Sequence, residues 1–274
     1  MIYEIFVLIL AGLGAGIVTG LMGASAVVIA VPIMVIFLGY DIFLAIGISL
    51  GIDVVASIVA MFVYKKNKNL NIMIGIHMGL IAVVGTIIGT SVSFYIPKII
   101  LSGLTGIAVC FTAINMLTKK VKEEIKETIE EHHLHYKSKK YIFSMIGALG
   151  IGFIAGSFGA GGGLSLLIVL TFIMGFKVHK AIGTSVFIMI FIALSGSISH
   201  FIYLPFSLYI ILTAGLGAIL GAFYSAKFAN LMTEKQLNKL IGLILFTLGI
   251  SLVLRELFNY GYLDYFYSLI VSLI

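Results

Sequence analysis

One apolar stretch occurs twice in this chain. GLMGASAVVIAVPIMVIFLGYDIFLAIGISL, starting at Gly20, returns as GSFGAGGGLSLLIVLTFIMGFKVHKAIGTSV, starting at Gly156. At one constant offset Gly20 matches Gly156, Gly23 matches Gly159 and Gly39 matches Gly175; Ala45, Ile46, Gly47 and Ser49 match Ala181, Ile182, Gly183 and Ser185. The register holds farther on. Gly79, Leu80, Ala82 and Gly85 fall on Gly215, Leu216, Ala218 and Gly221, and Leu101, Leu104 and Gly106 fall on Leu237, Leu240 and Gly242. A chain that repeats itself over this length folds as two like units. Glycine-interrupted apolar segments at matching places in two halves are the sequence mark of secondary transporters, whose binding site lies between the copies.

The repeated unit belongs in a membrane. With 61% hydrophobic residues, 10% charged and a mean hydropathy of +1.21, a chain of 274 residues is too apolar for a soluble globule. Apolar stretches take up nearly all of it, which leaves no room for a soluble catalytic domain. The N-terminal sequence carries Glu4 and no basic leader, so it reads as a first membrane helix rather than a removable signal. The single Cys110 excludes an internal disulfide or a cysteine metal cluster and reads as packing. The net charge of +6 sits in short loops and one connecting segment, where membrane orientation explains it better than nucleic-acid binding.

Apolar runs cover residues 5–21, 26–38, 42–63, 72–94 and 99–117, then 141–157, 163–176, 181–203, 206–226 and 236–254. A crossing takes roughly 20 apolar residues, so the first two runs of each half are short. They predict a helix, a glycine break and a second helix, forming a hairpin that either dips to mid-membrane or crosses twice as tilted pieces. The expected organisation is a first repeat over 1–117, a charged cytoplasmic linker over 118–140, a second repeat over 141–254 and an aromatic-rich membrane segment over 255–274.

Lysines give the orientation. Lys65, Lys66 and Lys68 follow the third run, and the linker carries Lys119, Lys120, Lys122, Lys126, Lys137, Lys139 and Lys140. Both should be cytoplasmic. In the second half the matching loop at His200 has no lysine, and basic residues stand instead at Lys177, Lys180, Lys227 and Lys235. The basic side has swapped, as an inverted-topology repeat requires, and the N-terminus is expected outside. The fold expected is therefore all-α: a polytopic bundle of two inverted repeats, each a broken hairpin followed by three helices. The linker mixes Lys and Glu at helical spacing and reads as a solvated helix. Its His132, His133 and His135 lack the partners of a recognisable metal site.

The turn from Gly156 to Ser165 is the sharpest local signal. An unpaired backbone N–H in hydrocarbon costs several kcal/mol, so an irregular turn at membrane depth survives only against protein or a water-filled cavity. Gly161, Gly162 and Gly163 leave N–H groups bare at the start of the following helix, where the dipole favours an anion. The alternative is that these glycines only let helices cross closely. Ser49, Asp53 and Ser57 share one helix face, and Ser185, with Thr184 beside it, takes the place of Ser49 in the second half. Membrane serines also bond back to their own helix. Asp53 is the one carboxylate well inside a span; it is a candidate for carrying a proton or holding a cation, against a neutral packing role. Its counterpart is Met189. His77 and His200 read as interfacial or as satisfied polar groups. Lys177, His179 and Lys180 could draw anions to a vestibule, although the positive-inside bias accounts for the lysines.

The glycine pattern opening each half, followed by an apolar helix, a Gly, an Ala and a Ser, with a charged linker between halves, resembles the sulfite exporter TauE/SafE family of membrane permeases. The resemblance covers about residues 5–254. It implies movement of sulfite, sulfonates and related small sulfur-containing anions across the cytoplasmic membrane. The second copy keeps Gly159, Gly161, Gly162 and Gly163 but has Ile168 where the family places Pro; the first keeps Pro32 but has Ala24, Ser25, Ala26 and Val27 in place of the glycine run.

The expectation is an anion permease working by alternating access. Substrate would be held by Gly23, Ser25, Ser49, Gly159, Gly161, Gly162, Gly163, Thr184 and Ser185, with Asp53 as proton-coupling group. No catalytic residue, metal or cofactor is expected. Expected partners are the small anion, the bilayer and a second copy in a homodimer, with no nucleic acid. Intramembrane catalysis wants clustered acids, His or Arg, and the only Arg is Arg255. A cation channel or transporter using Asp53 and backbone carbonyls is the remaining alternative.

Overall fold

The computed structural model describes residues 2–97, 138–159, 162–176 and 178–228, with isolated positions between 100 and 114 and between 243 and 254. Among these residues the chain is all helical. The first half gives α1 (Ile2–Met22), α2 (Val27–Leu38), α3 (Ile42–Lys66) and α4 (Ile72–Ser93). The second gives α5 (Ser138–Phe158), α6 (Gly162–Ile168) continued by a wider π-helical turn (Val169–Ile173), α7 (Val178–Tyr203) and α8 (Leu208–Phe228). The described elements lie within a few residues of the expected runs. The π turn was not anticipated. The runs 99–117 and 236–254, nearly all of the 118–140 linker and the 255–274 segment fall outside the described residues.

Six of these helices are long and apolar enough to cross a membrane. The 12 residues of α2 span only about 18 Å. The bundle is turned inside out relative to a soluble protein. Thr19, Ser49, Asp53, Ser57, Thr86 and Ser93 are buried, while Phe62, Leu80, Ile87, Leu212 and Leu216 face outward. In hydrocarbon the exposed apolar groups cost nothing, and the polar ones find partners only inside.

Local chemistry ends and starts the helices. Asp41 accepts from Phe43 N–H at 3.0 Å at the start of α3, and Asn71 accepts from Ile74 N–H at 3.2 Å at the start of α4. The turns after α1 and α5 pass through Gly23 (φ 65°) and Gly159 (φ 70°). The left-handed conformation at both positions favours glycine.

Neighbouring contacts give the helix directions. Gly47 lies against His200, Leu50 against Gly196 and Tyr64 against Gly183, so α3 and α7 run antiparallel. Ala82 lies against Gly152, Thr86 against Gly156 and Gly89 against Phe153, so α4 and α5 run parallel. Ala214 by Gly12, Ala218 by Gly16 and Ala222 by Gly20 make α1 and α8 parallel as well. These last two interfaces are the same interface. A Cβ on Gly16 or Gly20 would strike the carbonyl of Ala218 or Ala222, and one on Gly152 or Gly156 would strike that of Ala82 or Thr86, each the same place one repeat away. Small residues there let backbones approach, and dispersion contact along the seam holds the helices together in lipid.

The hairpin of α1 and α2 returns to the face it leaves. Tyr3 donates to the Phe37 carbonyl at 3.4 Å and Tyr40 to Glu4 at 2.8 Å, bringing the end of α2 beside the start of α1. Burial and the Glu4 carboxylate push the Tyr40 hydroxyl up to about 12. The opposite face collects Lys65, Lys66 and Lys68 at the end of α3, Lys140 at the start of α5, Lys180 at the start of α7 and Lys227 at the end of α8. That face is the one the positive-inside rule would turn to the cytoplasm.

Candidate functional site

The two glycine turns meet inside the bundle. Ser25, in the first turn, has its Oγ 3.2 Å from the carbonyl oxygen of Gly159 in the second. A Cβ on Gly163 would strike the Gly23 carbonyl, so the start of α6 lies directly on the first turn. Gly23 in turn faces the Ser185 hydroxyl, and Gly159 faces Val27 and Ile46. Gly162 and Gly163 thus serve close packing, the former against Met189 and Ala155. Gly161 lies outside the described residues, as does Lys177.

Asp53 is the centre of the polar set. It is fully buried. Thr19 donates to its Oδ1 at 3.2 Å, Ser57 to the same oxygen at 3.4 Å, and the Ser25 hydroxyl lies 2.8 Å from its Oδ2. The Ala26 N–H also donates to the carboxylate, which therefore sits at the electropositive start of α2. No lysine or arginine is among its partners. The donors come from three features: Thr19 from the last turn of α1, Ser25 and Ala26 from the glycine break, and Ser57 from the next turn of α3.

The remaining expected residues divide. Ser49 is buried with no hydrogen-bond partner for its Oγ. Ser185 reaches the first turn but donates back to the Ile182 carbonyl at 2.9 Å. Thr184 stands apart from both turns: it donates to the Lys180 carbonyl at 2.7 Å and accepts from Asn71 N–H at 3.1 Å, tying α7 to the α3–α4 loop. His77 is exposed and stacks edge-on against Tyr141. His200 is buried, with Nε2 3.4 Å from the Gly156 carbonyl and Nδ1 without a partner.

Two relationships escape a residue-by-residue reading of the sequence. Thr19 joins Asp53 from 34 positions away. Nothing in its own surroundings marks it, but its counterpart across the repeat is Ala155, a polar-to-apolar exchange visible in the alignment. Tyr64 and His200 are also counterparts. Tyr64 donates to the Gly20 carbonyl at 3.0 Å, as His200 approaches that of Gly156, so each half ties a ring to the helix end before its glycine break.

The arrangement offers a hydroxyl- and carbonyl-lined junction around a buried acid. Among the described residues no cluster of three or more His, Cys, Asp or Glu could hold a metal ion. A junction of broken helices between two repeated halves is the architecture of a carrier. The chain is similar to the probable membrane transporter protein YdhB of Bacillus subtilis (strain 168), 26% identical over 82% of this chain and 91% of that protein. It is also similar to the probable membrane transporter protein YunE of the same organism, 24% identical over 92% of this chain and 98% of that one. No solved structure matches it significantly. The family model for the sulfite exporter TauE/SafE matches residues 8–252, and this chain, a multi-pass membrane protein, belongs to that family of membrane transporters.

Proposed function

We propose that the protein carries a small sulfur-containing oxyanion, sulfite or a sulfonate, by alternating access between two inverted-topology repeats. The observation that carries this reading is the contact of the two glycine turns, Gly163 on Gly23 and Ser25 on Gly159, inside the bundle. The inverted arrangement is supported by α3 and α7, which are copies of one another and run antiparallel. Matching α1–α8 and α4–α5 seams support it too: exchanging the halves exchanges the seams. Rocking of one half against the other would open the junction to each face in turn.

The substrate sits beside the turns, within reach of the Ser49 hydroxyl, the Ser185 hydroxyl and the N–H groups of Gly162 and Gly163. Ser49 is the informative one, because a buried hydroxyl without a partner costs about 1–3 kcal/mol until something completes its hydrogen bonding. Asp53 then acquires a task. Two like charges about 4 Å apart repel by about 4 kcal/mol at an effective dielectric constant of about 20, roughly a thousandfold in affinity. An ionised Asp53 so close would reject the anion, so a positive charge, either a proton or a cation, accompanies each substrate. The partners are the anion, the bilayer and a second copy in a homodimer.

Thermal unfolding of the detergent-solubilised protein tests the reading. Sulfite or a sulfonate should raise the melting temperature with a saturating dose dependence, and sulfate less. Stabilisation by Na⁺, K⁺ or Ca²⁺ with no response to any anion would transfer the role of cargo to the Asp53 cluster.

A further inference from the structure

Thr19, Ser25, Asp53 and Ser57 form one set in the first half and vanish as one set in the second. Their counterparts are Ala155, Gly161, Met189 and Ala193, each without a polar side chain. Some buried positions keep a polar group in both halves, Ser49 matched by Ser185 and Tyr64 by another ring that approaches the equivalent carbonyl, whereas others, such as Thr86 with Ala222, do not. What sets the four apart is contact: Thr19, Ser25 and Ser57 all reach Asp53, so any task they share falls to the first half alone.

The chemistry of the set identifies the task. Hydroxyls reach both oxygens of Asp53, so the ionised carboxylate can be hydrogen-bonded on each. A carboxylate so deeply buried is steadied by a compensating positive charge, and among the described residues none stands beside it. Lone pairs are in surplus. Ser25 has one proton for both Asp53 Oδ2 and the Gly159 carbonyl, so one of these oxygens is left without it, and the oxygens of Thr19, Ser25 and Ser57 keep lone pairs of their own. At 2.8 to 3.4 Å these neighbouring oxygens lie within hydrogen-bond distance of one another, close enough that turning the hydroxyls would present them together to one small cation. One formal negative charge with neutral hydroxyl and carbonyl oxygens suits a monovalent ion, whereas divalent ions recruit further carboxylates. The carbonyl comes from the other half's glycine turn, so an ion bound here would draw the two turns together.

We propose that Asp53, Thr19, Ser25, Ser57 and the Gly159 carbonyl form a sodium site, which closes the junction and supplies the positive charge that accompanies the anion. The proposal rests on the carrier reading above for its role in transport; the site itself can be tested without substrate.

The melting temperature of the purified wild type is measured in NaCl, KCl and choline chloride at equal ionic strength. Sodium should raise it saturably and the other two should not. Thr19→Val and Ser57→Ala should each raise the sodium concentration for half-maximal effect about tenfold, the cost of one hydrogen-bonding ligand to a charged group, and Asp53→Asn should abolish the response. If Asp53→Asn does not fold, the two hydroxyl variants carry the test. Equal melting temperatures in all three salts would overturn the site, as would a rise on acidification that substitutes for sodium. Sulfite titrations in sodium and in choline separate the two proposals. Sodium stabilisation without any sulfite effect leaves the site standing and removes the anion. Sulfite stabilisation of equal strength in both salts removes sodium as the charge that accompanies the anion and keeps the anion.

Discussion

The two halves share a frame and differ in their chemistry. In each, a helix ends at a left-handed glycine, Gly23 or Gly159, and a ring, Tyr64 or His200, reaches the carbonyl of the last turn before it. In each, glycines on the first helix seat it against carbonyls of a helix from the other half. Yet where the first half places an acid ringed by hydroxyls, the second has Met189 packed on Gly162 and Ala155. The second turn makes room for the first by a different device: Gly163 lies on the Gly23 backbone, and its counterpart Val27 fills space against Gly159. The backbone contacts that hold helices together are alike in the two halves, and the buried polar groups are where the halves diverge.

Exchanging residues between the halves tests this. Gly163→Val, which gives the second half the residue of the first, drives a side chain into the Gly23 carbonyl. It should cost at least about 3 kcal/mol and remove the monodisperse peak in size-exclusion chromatography. Met189→Asp should come next, at about 3 kcal/mol, because its surroundings offer a carboxylate none of the hydroxyls that Asp53 receives. A melting temperature equal to wild type would show that the second half can house an acid and would dissolve the contrast.

The ring contacts should separate less sharply. Tyr64→Phe leaves the Gly20 carbonyl without its 3.0 Å donor and should cost about 1 kcal/mol in thermal unfolding. His200→Phe should cost less, since its bond to Gly156 is 3.4 Å and the change also removes the unpartnered Nδ1. The smallest effect belongs to Tyr40. Its hydroxyl is held protonated up to about 12 in the folded protein against an ordinary 10, so the stability it lends is complete below pH 10 and is lost as pH rises through 12. Tyr40→Phe should flatten that alkaline decline slightly.

The fold was legible in the sequence to the extent that it follows from period and length. Apolar runs and the glycine register locate α1 to α4 and α5 to α8, because a backbone in lipid must bond within helices or a closed barrel, and continuous apolar runs of this length fit helices. The lysine swap foresaw the common face that Lys65, Lys140, Lys180 and Lys227 now share. At the site the reading was more selective. Asp53 stood out as an acid in a span, and Ser25 and Ser57 lay near it in the chain. Thr19 did not stand out, since one hydroxyl in an apolar helix signals nothing until the helix it faces is known. Thr184 looked equivalent to Ser185 and turned out to face the α3–α4 loop, because adjacent helical residues point about 100° apart.

Sequence alone therefore determined a duplicated, all-helical membrane protein with two glycine breaks and a basic face, since each property depends on local composition or on a repeat that can be counted along the chain. Tertiary structure alone decided that the two breaks touch, that Gly163 is occupied by the Gly23 backbone, and which hydroxyls reach Asp53. Those facts depend on how helices distant in the chain cross. In a bilayer the crossing is chosen by close contact of small residues and by partners for buried polar groups, and neither can be read until both surfaces are in place.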